Sequence, residues 1–426
     1  MISITDHPLR YAIANELHAR PFPAISAPAS AAYLATKLAE NAAARDRDID
    51  RAHLIKLLDR FGAQHPQPGA THYYGQIGKH SLRWECHTEF VTYTVFGEGI
   101  SERPFDEQTF GVFPAEWLAA LPGVRLTSAL IRVEVALSDE GIAEKAENWF
   151  VEESLAISRV LDDGLVIAGD FRIDPSGHMH FGIFARPDAG DRRIGRIVQY
   201  LCEVETYKAM SMLGLYRAID LGKEMGTIDK TLTSILSDMV GPISKPEVML
   251  QSLLKVSAEL ENKMAQSSFR FGATEAYESI INQRIIALRE QRFEALQTFA
   301  EFMTRRFDPA MRTVKSTQLR LARMSDRAQR ASDLLRTRVD VERSAQNQEL
   351  LSSMNKRADV QLRLQQTVEG LSVVAISYYA VNLVLYVLGP LEQKFGMSKT
   401  VMGSLATPVI LLGVWWMVQR IHKHLD

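Results

Sequence analysis

Two runs near the C-terminus, Gly370 to Leu388 and Thr400 to Val418, contain no Lys, Arg, Asp or Glu, and only eleven residues separate them. At about 1.5 Å per residue, each is just long enough as a helix to cross a hydrocarbon layer of roughly 30 Å. Together they predict a transmembrane hairpin from which the rest of the chain hangs. The alternative is a buried helical hairpin in a soluble protein. Basic residues set the orientation: Lys356, Arg357 and Arg363 precede the first run and Arg420 and Lys423 follow the second, while the loop holds Lys394 and Lys399 against Glu392. The positive-inside rule then leaves both termini in the cytoplasm and a short loop outside.

The remaining composition suits a large cytoplasmic body. A chain of 426 residues has room for two or three domains, and a formal net charge of -2 argues against a nucleic-acid partner held by overall basicity. Cys86 and Cys202 lie far apart and form no metal-ligand spacing, which fits a reducing compartment. The opening MISITDHPLR offers no apolar signal-peptide core, so membrane insertion is expected to rely on the C-terminal hairpin.

Residues 1–192 mix helix and strand, and an α+β fold is expected. The Ala-rich run from Ala27 to Phe61 reads as one or two amphipathic helices. Ser81 to Phe96 and Val124 to Leu137 read as strands, rich in aromatic and β-branched residues. Leu165 to Ile173 and His178 to Ala185 bracket a turn at Asp174-Pro-Ser-Gly177. Short helices are expected at Pro114 to Leu121 and Gly141 to Ser158, giving a mixed sheet covered by helices. From 193 to 309 the pattern is helical, with stretches at Gly195 to Leu221, Val248 to Met264 and Ala273 to Phe307.

The segment 310–368 reads as one long stalk helix, because no Pro or Gly interrupts Met311 to Gln366. Leu321, Met324, Ala328, Ala331 and Leu335 alternate by three and four residues, the seam of a coiled coil. Met311 to Gln366 holds twelve Lys or Arg against six Asp or Glu, so the stalk is basic in a nearly neutral chain. That charge suits anionic lipid or the field around an axial pathway, or simply a solvated helix face with ion pairs along it. The last segment, 369–426, is the hairpin with its basic tail.

Candidate chemistry is sparse. No G-x-x-x-x-G-K-[ST], H-E-x-x-H, G-x-S-x-G or G-x-G-x-x-G occurs, so the common nucleotide, zinc-protease and serine-hydrolase signatures are missing. The richest polar group is Glu85, His87 and Glu89, expected to alternate on one face of a strand, with His72 and His80 upstream and His18 and Arg20 near the N-terminus. Two carboxylates around an imidazole can hold a divalent cation or share a proton, and can equally be salt-bridged or solvated. Asp170 and Arg172 read as a structural ion pair. In the first apolar run Tyr378, Asn382 and Tyr386 recur every four residues. That face can line a hydrated passage or bond to neighbouring helices.

Several segments together carry a resemblance: Glu16-LHARPFP-Ala24, Trp84-ECHTEF, Asp170-FR, Gly195-RIVQYLCEVETYKAMSMLGL, Leu334-LRTRVDVERSAQNQELL and Gln361-LRLQQTVEGLSVVAISYY. They resemble a bacterial family of uncharacterised membrane-anchored proteins, a domain-of-unknown-function family, over essentially the full chain. The resemblance implies an inner-membrane address and no established activity. The order of parts also looks like that of CorA-type divalent-cation channels, which carry a Gly-Met-Asn signature after the first span. Here the loop holds Gly396-Met397-Ser398; Ser398 lacks the amide, and the tripeptide lies about seven residues beyond the apolar run.

Three readings follow. One is a homo-oligomeric, CorA-like channel or transporter, since two spans from one chain cannot enclose a water-filled path. Another is a membrane-anchored scaffold or sensor without conduction. The third is a membrane-tethered hydrolase using the Glu85, His87 and Glu89 face.

Overall fold

The computed structural model describes residues 4–11, 13–14, 22–239, 246–395 and 398–422. The chain divides into two compact units: Met1–Ile243 with Gln251–Ala331, and Ser244–Leu250 with Ser332–Asp426.

The first unit is built on a nine-stranded sheet: β1 (Ala29–Lys37), β2 (His72–Ile77), β3 (His80–Cys86), β4 (Phe90–Glu98), β5 (Val124–Val135), β6 (Ala156–Val160), β7 (Leu165–Gly169), β8 (Met179–Ala185) and β9 (Gln291–Arg292). Its order is β2-β3-β4-β1-β5-β8-β7-β6-β9. The β5–β8 pair is parallel and the other pairs are antiparallel, so the sheet is mixed. The helices, in chain order, are α1 (Arg47–Arg60), α2 (Ala115–Ala119), α3 (Asp139–Trp149), α4 (Asp191–Asp238), α5 (Pro246–Leu288), α6 (Phe299–Arg306) and α7 (Asp308–Phe395), of which α7 belongs to the first unit only as far as Ala331 and α5 only from Gln251.

Alternation along the strands makes two cores. Ala31, Tyr33 and Ala35 of β1 face one side with Ile131, Phe181 and Ile183, and α4, α5 and the start of α7 cover them. Ala32 and Leu34 face the other side with Leu130, Val166 and Phe184, covered by Leu54, Leu57 and Leu58 of α1, Trp117 of α2 and Ile142 of α3. Each fully buried Leu or Phe contributes about 1.5–3 kcal/mol. The α+β class expected from sequence is thus observed.

β1 corrects the expected helix at Ala27 to Phe61, of which only Arg47–Arg60 is α-helix. β1 lies between β4 and β5 with both faces covered, so it shows no polar–apolar alternation, and its alanines carry a helix signal. The expected strand Ser81 to Phe96 is a hairpin turning at residues 87–89. The expected helix Gly141 to Ser158 stops at Trp149, and Ala156–Val160 pairs with β7 as β6. In place of two helical stretches, α5 runs unbroken from Pro246 to Leu288, and β9 and α6 follow.

Helices α4 and α5 are antiparallel neighbours. Arg217 donates to Ser267 at 3.1 Å, Lys263 pairs with Glu224 at 2.9 Å, and Arg284 bonds Glu203. At Gly214 they approach so closely that an added Cβ would lie 2.1 Å from the Thr274 hydroxyl.

The second core holds a histidine that remains neutral. His53 is 3 % exposed and stacks on Trp117 at 4.2 Å, and its Nε2 has no hydrogen-bond partner among the described residues. Burial, with Lys56 adding to it, pushes its pKa from the ordinary 6.5 to about 4. Burial also lowers those of His80 and His178. Between the folded and unfolded pKa values the unfolded chain binds more protons, so stability is full above about pH 6.5 and falls as pH drops toward 4. His53 alone should remove on the order of 3 kcal/mol across that window. Urea denaturation at pH 7 and pH 5 reads this loss together with those of the other shifted histidines; equal midpoints would refute a buried neutral His53.

In the second unit, α7 carries the first apolar run and α8 (Lys399–His422) the second. Ser377 and Val414 are buried, and a Cβ added at Gly403 would lie 3.8 Å from the Leu385 methyls. Pro408 sits inside α8.

Candidate functional site

Where β3, β4 and β1 meet α4, the first unit holds a partly open cavity of about 30 Å³, lined by Tyr33, Phe90, Phe96 and Val198 beside several polar side chains, with room for one or two waters. On β3, Arg83 and Glu85 are two residues apart and so share a face. From α4 come Gln199, Cys202, Glu203 and Thr206, at helical spacing. Arg83 donates to Glu85 at 3.0 Å and to Gln199; Gln199 donates to Glu203 at 2.6 Å; Arg284 of α5 closes on the other oxygen of Glu203. A charged relay therefore ties the sheet to two helices. Arg284 also lies over the Tyr200 ring at 5.2 Å.

The same cavity holds groups that could react, in unreactive states. Burial pushes the Cys202 thiol and the Tyr33 phenol well above their ordinary pKa values, and Tyr33 bonds to Thr206. A thiol without a thiolate is a poor nucleophile. The relay suits positioning and recognition better than covalent chemistry.

Of the sequence-predicted trio, Glu85 and His87 line this cavity and Glu89 does not. The shared strand face is corrected: β3 ends at Cys86, and His87 and Glu89 fall in the turn. The His87 amide donates to the Phe90 carbonyl at 2.9 Å, and its ring stacks on Phe90 at 4.3 Å. Glu89 is 1 % exposed; it accepts from Arg270, at 3.3 Å on Oε2 and more closely on Oε1, and from the Tyr277 hydroxyl at 2.8 Å. Among the described residues no group of three or more His, Cys, Asp or Glu is placed to hold a metal ion.

The structure adds Arg45, which the sequence did not flag. Its guanidinium donates to the carbonyls of His87 at 2.5 Å, Phe90 at 3.1 Å and Thr88, and to Asp50 at 2.7 Å, fixing the turn from below. Asp170 and Arg172 are not the expected ion pair. Asp170 accepts backbone N–H groups of Val151 at 3.2 Å and Arg172 at 3.1 Å, while the Arg172 guanidinium goes to Ser154 at 2.6 Å.

Two of the sequence motifs meet. Phe22 packs edge-on to Tyr200 at 5.8 Å under Arg196 at 5.1 Å, and the Ile25 amide donates to the Asp191 carbonyl at 3.1 Å. His18 and Arg20 lie outside the described residues.

In the second unit Tyr378, Asn382 and Tyr386 share an exposed face, with Tyr386 88 % exposed. Asn382 donates to the Tyr378 carbonyl at 3.1 Å, and Ser372, Ser404 and Thr407 likewise bond to carbonyls four residues back. These polar groups are thereby partly satisfied within their own helices. The Ser398 carbonyl accepts the Val401 and Met402 amides at 3.0 and 3.2 Å, opening α8. Gly396 and Met397 lie outside the described residues, as does Lys423. Lys356, Arg357 and Arg363 are exposed, and Arg420 lies over the Trp416 ring at 5.2 Å.

Both apolar windows are long and apolar enough to cross a membrane, and only 6 % of either is buried within the chain. A soluble core hairpin would be largely buried. Fold and helices together define a mixed-sheet α+β body on a chain with two span-length apolar helices. Residues 5–425 match the family model described as Protein of unknown function (DUF3422), and the chain belongs to that family. No curated protein and no solved structure matches it, so the likeness to CorA-type channels finds no support there.

Proposed function

We propose that this is a membrane-anchored sensor or scaffold, non-enzymatic, with its α+β body in the cytoplasm of a bacterium and its C-terminal hairpin in the inner membrane. The observation that carries the reading is the exposure of both span-length apolar runs: two uncharged helical stretches left uncovered by their own chain favour lipid around them. Lys356, Arg357, Arg363, Arg420 and Lys423 support an orientation with both ends inside. The relay of Arg83, Glu85, Gln199, Glu203 and Arg284 supports a sensing role, since an ion or small polar group that reaches these side chains must compete with the bonds that join the sheet to α4 and α5. Washing membranes of cells expressing the full chain with alkaline carbonate tests the anchor. Retention in the pellet is expected; release into the supernatant would refute it.

Conduction is the second reading, favoured by the Tyr378, Asn382 and Tyr386 face. The back-bonding of Asn382, Ser372, Ser404 and Thr407 speaks against it, because those groups are partly satisfied without an aqueous lining. Ion flux into liposomes carrying the purified protein would reverse the order of the two readings.

A further inference from the structure

The juxtamembrane part of α7 has an apolar seam that no other described residue of the chain covers. From Leu350 to Asn382 a spacing of four and three residues recurs without a break, a heptad rhythm that crosses from the aqueous segment into the apolar run. Leu350, Met354, Leu364, Val368, Leu371 and Tyr378 fall on it, each between 54 % and 67 % exposed. The charges avoid it. Of the five charged residues between Leu350 and Asn382, Lys356, Asp359, Arg363 and Glu369 lie on the opposite face, and only Arg357 falls on the seam. Arginine can lay its stem along an apolar surface and keep its head in water.

The geometry points to a second copy of this chain as the occupant, paired in parallel along Leu350 to Asn382. Continuity across the membrane boundary selects it. Lipid does not cover the whole seam, because Leu350 lies twenty residues before Gly370, roughly 30 Å along a helix and beyond the headgroups. A soluble protein does not cover it either, since Leu371, Tyr378 and Asn382 belong to the apolar run. The occupant must carry one helix through both phases with matching rhythm. A second copy does so in the same register, and shared anchoring holds both at one depth, which raises their effective concentration. Gln361, a seam position facing itself across a parallel pair, would favour that register.

The inference rests on the hairpin being in lipid, and the test separates the two. Leu364→Cys on the seam and Asp359→Cys on the outer face are oxidised in native membranes. The native Cys86 and Cys202 are both buried and do not compete. Leu364→Cys should form a disulfide-linked dimer about tenfold faster than Asp359→Cys. Equal rates, a monomeric Leu364→Cys, or its capture by a different protein would overturn the proposal. As a second measurement, the mass of the intact protein in nanodiscs should be a multiple of the monomer and fall to the monomer in Leu364→Asp/Val368→Asp; a monomeric native chain, or no change in the variant, would also overturn it. Carbonate washing of the same membranes shows whether the anchor itself has failed.

Discussion

Replacing Glu89 with alanine should destabilise the first unit by about 3–5 kcal/mol, among the larger losses expected from any single substitution in this chain. Its carboxylate is the common acceptor for Arg270 and Tyr277, which reach it from α5 at the turn between β3 and β4. Burial, and then the bond to Glu89, raises the Tyr277 phenol above its ordinary pKa. Truncation strands a guanidinium that is only 17 % exposed and leaves the half-buried Tyr277 hydroxyl without its acceptor. Glu89→Gln restores an acceptor and not the charge, so it should fall between the native chain and Glu89→Ala. The full chain in mild detergent, unfolded by urea, reports the loss. A double-mutant cycle with Arg270→Ala should give a coupling above about 1 kcal/mol; independent effects would show that the pair is not a unit.

That clasp also marks how far the sequence could be read. Glu85, His87 and Glu89 are legible as a polar group because their spacing resembles one strand face, yet the chain turns between Cys86 and Phe90 and sends Glu89 to a different helix. No local pattern shows the turn, since it is fixed by Arg45, forty-odd residues earlier, bonding three of its carbonyls. The same limit applies to β1, whose alanines favour helix until two neighbouring strands supply its hydrogen bonds. Segments governed by their own composition were legible: the two apolar runs, the long helix after residue 310, the strand Val124–Val135 and the hairpin at Asp174. The cavity was not, because Arg83, Gln199, Glu203 and Arg284 are separated by up to 201 residues and come together only when α4 and α5 pack on the sheet.

Gly195→Ala should be the second large effect, and its cause is a single atom. A Cβ at Gly195 would lie 1.8 Å from the Pro23 carbonyl oxygen, and that oxygen is backbone, so no rotamer relieves the overlap. The segment Phe22–Ile25 must retreat from α4, loosening the ring of Phe22 from Tyr200 and Arg196 and the Ile25 amide from Asp191. A loss of about 1–3 kcal/mol is the usual scale for forced insertion of this kind. A helix-interior Gly→Ala exchange ordinarily gains on the order of 1 kcal/mol, so the sign alone is diagnostic. Phe22→Ala supplies the control. If the added methyl already lifts the segment, Phe22→Ala should cost little in the Gly195→Ala background and clearly more in the native one. Additive losses would mean that Phe22 stays seated and the strain is absorbed elsewhere. A stabilised Gly195→Ala would mean that Pro23 does not rest against α4 at all.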